Sequence, residues 1–177
     1  MNPWYAVTLI GTPELWAFIC VGLVALYLAL RSTLWKEQSR KRRQLKGIVI
    51  LFVLAFSITF VVIYLLKLAF AIPRECIPCP APGCNPYCLP DAGFPSGHAA
   101  AIFALFTSVL VVTRHRQGTL ALLALAILVS VSRVALGVHA WADVVAGAAL
   151  GVLVVIGVWR LEKQLKLGQI TPKITKK

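Results

Sequence analysis

An all-α, polytopic membrane bundle of about five transmembrane helices is the fold class this sequence predicts. Three observations carry it. Of the 177 residues, 59% are apolar, beyond what a water-soluble core needs. The apolar residues gather into five stretches that approach the length of about 20 helical residues needed to cross a hydrocarbon core of about 30 Å. The basic residues stand beside those stretches, in alternating loops.

Residues 14–34 make the first stretch, which is too long for the core of a cleavable signal, so it is expected to remain as an anchor. Residues 1–13 precede it without a Lys or Arg and are expected outside the membrane or along its interface. The clearest stretch, 48–66, contains no charge; 97–113, 119–137 and 140–159 are shorter and are bounded by polar residues or glycine. No repeat of fixed period is present, so 1–167 reads as one domain, and the polar 168–177, ending in Lys176 and Lys177, reads as a basic cytoplasmic tail.

The formal net charge of +12, from 18 Lys and Arg against 6 Asp and Glu, raises the question of nucleic acid. The charges flank apolar runs and match no nucleic-acid module, so they read as juxtamembrane charge facing anionic lipid. Arg31, Lys36, Arg40, Lys41, Arg42, Arg43 and Lys46 follow the first stretch, Arg114 and Arg116 the third, and Arg160, Lys163 and Lys166 the fifth. Under the positive-inside rule these loops and the C-terminus are cytoplasmic. The N-terminus, the loop 73–95 and the turn near His139 are then extracytoplasmic.

That outer loop holds seven of the ten prolines and four of the five cysteines, so it is expected to be compact and irregular. Cys76, Cys79, Cys84 and Cys88 in an oxidising compartment favour two disulfides, in any of three connectivities; their spacing also permits a zinc site. Cys20 reads as a small buried residue.

Ionisable groups beside membrane segments are costly, and here they gather at one level. Lys67 and Arg74 close the second stretch, Ser96, Gly97 and His98 open the third, Ser132 and Arg133 end the fourth, and His139 and Asp143 bracket the start of the fifth. Three cations, two histidines and a carboxylate at one depth suit a multiply charged anion. Ser96 is placed to cap a helix whose first N–H groups face that anion, and Gly97 lets it approach closely. His139 and Asp143, four apart, allow the carboxylate to hold one ring nitrogen protonated and leave the other free as a nucleophile.

The blocks Lys67-x6-Arg74, Pro95-Ser96-Gly97-His98 and Ser132-Arg133-x5-His139-x3-Asp143 occur in fixed order. Together they resemble the signature of the type 2 phosphatidic acid phosphatase superfamily, over residues 67–143. The resemblance implies that His139 attacks phosphorus, Asp143 orients it, and His98 protonates the leaving oxygen and then activates water. It further implies that Lys67, Arg74, Arg133, Ser96 and the Gly97 N–H hold the phosphate oxygens. No metal or cofactor is expected, because three cations and helix-end amides supply the charge. Two departures stand out: the family usually places proline after the first-block arginine, where this chain has Glu75, and many members have three crossings before that block, where two are counted here.

The expected activity is hydrolysis of a lipid phosphate or diphosphate through a phosphohistidine, in an integral cell-membrane enzyme opening to the extracytoplasmic face. A polyprenyl diphosphate is favoured, since such carriers are recycled there; phosphatidylglycerol phosphate, phosphatidate and phosphorylated lipid A stay open. Lipid-to-lipid phosphotransfer could use the same phosphohistidine. Vanadium haloperoxidases share the constellation, but membrane stretches argue against that reading. A channel or anion-binding adaptor would need polar residues through the bilayer, whereas they cluster at one end. Beside these, His115 reads as solvated, Asp91 and Glu75 as loop polarity, and Ala146, Gly147, Ala148, Ala149 and Gly151 as a close helix-packing surface.

Overall fold

The computed structural model describes residues 3–10, 12, 15, 18–22, 25, 40–74, 76, 88, 90–113 and 115–165. These form helices α1 (Pro3–Ile10), α2 (Arg40–Phe70), α3 (Gly97–Val112), α4 (Arg116–Ala135) and α5 (Trp141–Gln164), with no strand among the described residues. Arg31, Lys36, Glu75, Cys79, Cys84, Arg114, Lys166 and the tail 168–177 lie outside them, as does most of the expected crossing 14–34, of which residues 15, 18–22 and 25 are helical.

Leu45–Phe70 of α2, α4 and α5 are long and apolar enough to cross a membrane. Helix α3, expected as a further crossing, has 16 residues and rises about 24 Å, less than a hydrocarbon core of about 30 Å. Both of its ends are set by extended backbone, at Ser96 (ψ 114°) and at Thr113 (ψ 160°). A helix this short is accommodated because α2, α4 and α5 pack around it.

Its neighbours interlock with it through a core of Leu51, Phe52, Ala55 and Phe56 from α2, Ala101, Ile102 and Ala104 from α3, Ala126 and Val129 from α4, and Val155 from α5, joined by Cys20. The opposite faces are apolar too: Leu54, Ile58, Val61 and Leu65 on α2 and Val145 and Leu153 on α5 are exposed, as a lipid solvent requires. Where lipid surrounds the bundle, helices associate by close packing and small residues. The contact of α5 with α3 is of that kind. A Cβ at Gly147 would stand 2.3 Å from the Ser96 carbonyl oxygen, and one at Gly151 2.3 Å from that of Ala100. At the far end of α5, Lys163 Nζ sits 3.5 Å over the Trp159 ring.

The helix ends that matter for function are set locally. Helix α2 stops because Ala71 turns left-handed (φ 46°) while its N–H still reaches the Lys67 carbonyl at 3.0 Å, leaving Lys67 in the last turn. Helix α4 ends in a Schellman turn on Gly137 (φ 65°): the Gly137 N–H bonds Val134 at 2.8 Å and the Val138 N–H bonds Arg133 at 3.2 Å. That turn swings the chain back so that His139 meets the start of α5. His115, expected to be solvated, is exposed but also caps α4, its Nδ1 accepting the Gly118 N–H at 3.0 Å.

Candidate active site

The C-terminal end of α2, the start of α3, the end of α4 and the start of α5 converge, and the loops after α2 and α4 add Arg74 and His139. Lys67, Arg74, Gly97, His98 and His139 line one cavity of about 210 Å³. Ser96, Arg133 and Asp143 do not line it; they are buried, at 0%, 4% and 8% exposure.

The His139–Asp143 pair forms, but not on one helical face. Helix α5 begins at Trp141 with Ala140 as its N-cap, so His139 lies in the preceding turn. Asp143, at the third helical position, reaches back: its Oδ2 accepts the Ala140 N–H at 3.0 Å and lies 3.2 Å from His139 Nδ1. One carboxylate thus caps α5 and holds Nδ1 as the protonated nitrogen, which leaves Nε2 with the lone pair. The Asp143 carbonyl also accepts the Ser96 N–H at 3.0 Å, tying the second motif to the third through backbone.

Nε2 of His139 faces Arg74. Arg74 Nη1 lies 3.1 Å from it and 3.4 Å from the Val138 carbonyl, with the guanidinium only 4% exposed. The other edge of that guanidinium is held by Asp91: Nε donates to Oδ1 at 2.9 Å, and Nη2 pairs with the same oxygen. Lys67 pairs with Asp91 Oδ2 and donates to the Ala92 carbonyl at 2.7 Å. Arg74 is therefore placed despite Glu75 following it, because Asp91 supplies the constraint. The loop backbone helps, with the Gly93 N–H bonded to the Ile72 carbonyl at 2.8 Å and no room at Gly93 for a Cβ farther than 3.2 Å from the Arg74 Cα.

Electrostatics follow from this arrangement. Burial first, then the charges of Arg74 and Arg133, push His139 down to about 4 against the opposing pull of Asp143, so its ring is neutral near pH 7. For Asp91, burial opposes ionisation, but hydrogen bonds and charge from Lys67 and Arg74 outweigh it and hold the carboxyl below its ordinary range. Cys76 and Cys88 form a disulfide across 12 positions, Cα to Cα 6.1 Å, so these two are not zinc ligands. Cys79 and Cys84, the other expected ligands or partners, are outside the described residues.

Two expectations need correction. Ser96 occupies the N-cap position of α3, but its hydroxyl makes no capping bond and is buried without a hydrogen-bond partner. Its backbone, engaged with Asp143 and packed on Gly147, fixes the residue instead. Asp91, read as loop polarity, is the counter-ion of both Lys67 and Arg74. Nothing in the motif spacing marks it; the one available signal was a carboxylate five residues before Ser96 in a loop whose only other acid is Glu75.

The second wall of the cavity is largely apolar: Phe56, Phe60 and Ile63 from α2 and Ala101 from α3, with Thr59 and Tyr64 of α2 among them. Neutral imidazole, fixed cations and an apolar annex together suit transfer of a phosphoryl group from an amphiphile.

Comparison with known proteins places the fold. The structure is similar to that of a transmembrane PAP2-type phosphatidylglycerolphosphate phosphatase from Bacillus subtilis, with a TM-score of 0.63 and 22% identity over 93% of this chain and 80% of that one. It is also similar to LpxE from Aquifex aeolicus, with a TM-score of 0.57 and 20% identity over 89% of this chain and 83% of that one. At these identities the likeness establishes a shared fold. A search of curated protein sequences finds no match. The family model of the PAP2 superfamily matches residues 46–166, and the chain belongs to that superfamily.

Proposed function

We propose that this chain is an integral membrane lipid phosphatase that hydrolyses the phosphate or diphosphate of a lipid through a phosphohistidine on His139. One observation carries the lipid reading: the cavity lined by Lys67, Arg74, His98 and His139 continues against the aromatic and aliphatic wall of α2. A head group and the first part of a hydrocarbon chain fit such a space together, whereas a free phosphate or a soluble ester would leave the apolar wall without a partner.

In the proposed reaction, His139 Nε2 forms a bond to phosphorus as the bond from phosphorus to the leaving oxygen breaks. Asp143 holds the proton on Nδ1 and stabilises the charge that develops on the ring. His98 gives a proton to the leaving oxygen, which departs as a lipid alcohol or, from a diphosphate, as a lipid monophosphate. Water then attacks the phosphohistidine, giving its proton to His98, and inorganic phosphate leaves. Lys67, Arg74 and the Gly97 N–H, which line the cavity, offset charge on the equatorial oxygens. Arg133 and Ser96, given to the same cradle by the family resemblance, are buried and do not line the cavity, so Arg133 contributes as charge at a distance.

Within lipid phosphates, polyprenyl diphosphate is the first candidate. The positive-inside distribution supports a site open to the extracytoplasmic side, where diphosphate carriers are regenerated, and the Cys76–Cys88 bond at this end of the bundle supports the same orientation. The experiment is a panel of polyprenyl diphosphate, phosphatidylglycerol phosphate and phosphatidate presented to the purified protein in detergent, with inorganic phosphate as readout. The reading expects release from at least one, fastest from the diphosphate; release from none of the three would overturn it.

A further inference from the structure

Asp91 lies outside the three motif blocks, yet it pairs with two of the cations those blocks supply. Its Oδ1 takes the Nε and Nη2 edge of Arg74, the edge an arginine presents to a phosphate or carboxylate in bidentate fashion. Its Oδ2 takes the Lys67 ammonium. The remaining Arg74 donor, Nη1, points at His139 Nε2, the atom whose lone pair must reach phosphorus. In the resting site the two cations are neutralised in part by a carboxylate, and the nucleophile faces an N–H.

A phosphate cannot use these donors while Asp91 does. Two oxyanions on the same Lys67 and Arg74 protons would also repel each other across a few ångströms of poorly hydrated space. Asp91 has a way to withdraw: its side chain is 46% exposed, against 4% for Arg74 and 19% for Lys67, so water can solvate the carboxylate once it leaves the cations. The loop keeps it close enough to come back. The Cys76–Cys88 disulfide joins the segment two residues after Arg74 to the segment three residues before Asp91.

We infer that Asp91 is an internal counter-ion that competes with phosphate for Lys67 and Arg74. It lowers affinity for the arriving head group and, after hydrolysis, helps to expel inorganic phosphate by reclaiming both cations. The inference rests on the reading of this site as phosphate-binding.

The test compares wild type with Asp91→Asn and Asp91→Ala in detergent. It measures the dissociation constant of orthovanadate by titration calorimetry, and KM, kcat and product inhibition by inorganic phosphate on the lipid that wild type turns over best. Competition predicts that both variants bind orthovanadate at least about fivefold more tightly, that KM falls, and that inorganic phosphate inhibits at correspondingly lower concentration. If Asp91 instead serves to position Arg74, Asp91→Ala binds orthovanadate more weakly and loses kcat, which overturns the inference, as does unchanged affinity in both variants. Thermal unfolding checks the fold; should Asp91→Ala fail to fold, Asp91→Asn, which keeps an acceptor oxygen, decides alone. Wild type turning over lipid while all three proteins bind orthovanadate equally sinks the counter-ion and spares the phosphatase. Absence of both turnover and binding in every protein removes the phosphate-site reading together with it.

Discussion

Nε2 of His139 and Nη1 of Arg74, two residues that line the cavity, stand 3.1 Å apart, while Nδ1 of the same ring is 3.2 Å from Asp143. The imidazole is thus bracketed by a carboxylate that fixes its tautomer and a cation that faces its lone pair. Much of the expected behaviour of the enzyme follows from this bracket.

Replacing either histidine should remove turnover without removing the fold. His139→Ala takes away the nucleophile, and His98→Ala takes away a proton donor of a kind worth about 10²–10⁴ in rate. Asp143→Asn should leave a small residual rate, with some loss of stability from the weakened cap on Ala140. Initial rates of phosphate release and thermal unfolding in the same detergent check all three. Near wild-type turnover in His139→Ala would sink the mechanism.

The acid limb of kcat/KM should fall well below the pH expected of an ordinary histidine. His139 is pushed to about 4 by burial and by Arg74 and Arg133. The sign is that of a lowered pKa: the neutral, nucleophilic form predominates above about 4, so activity should hold as pH drops through 6 and fail only near 4 to 5. The same shift means that the folded state is favoured above the ordinary histidine pKa of about 6.5 and loses that contribution as pH falls toward 4. Arg74→Gln removes one of the depressing charges and should move the limb upward. A wild-type limb at pH 6 to 7 would contradict a depressed His139.

Gly147 should tolerate no side chain. A Cβ there would meet the Ser96 carbonyl oxygen at 2.3 Å, and this atom belongs to backbone that is itself bonded to Asp143. Gly147→Ala should cost about 1–3 kcal/mol as α3 and α5 are forced apart, and should lower kcat because Ser96, Gly97 and His98 move with the start of α3. Gly157, where an added Cβ would meet nothing within 4 Å, is the control: its change to Ala should be neutral or slightly stabilising. Unfolding temperature and kcat for both variants decide.

Reduction should weaken the loop more than the bundle. A bond closing 12 positions contributes about 3 kcal/mol by chain-entropy reasoning, acting on the segment between Arg74 and Asp91. Cys76→Ser with Cys88→Ser should lower activity and thermal stability while helical circular dichroism stays near wild type. Wild-type activity in the double variant would show that the loop needs no covalent tie.

The sequence was legible where physics acts locally or along a membrane normal. Long apolar runs marked α2, α4 and α5, and motif spacing marked Lys67, Arg74, His98 and His139, which share one cavity. Close packing of Gly147 and Gly151 followed from their size alone. What escaped depends on chain reversal. Asp91 meets Lys67 across 24 positions and Arg74 across 17, through a proline-rich loop with no periodicity to read. Asp143 reaches back to His139 from inside α5, since the helix begins only at Trp141, with Ala140 as its N-cap, and leaves His139 outside it. The unused Ser96 hydroxyl was equally hidden, because helix capping and burial predict different partners for it.

The central claim is a covalent phosphohistidine at His139, and trapping it is the most direct test. Purified enzyme is mixed with excess lipid substrate labelled in the transferred phosphate, quenched in alkali after one turnover, and digested for mass spectrometry. The expected result is label on the peptide containing His139, retained in alkali and lost in acid, and no label in His139→Ala. Full phosphate release by wild type with no label on His139, or label on another residue, would contradict it.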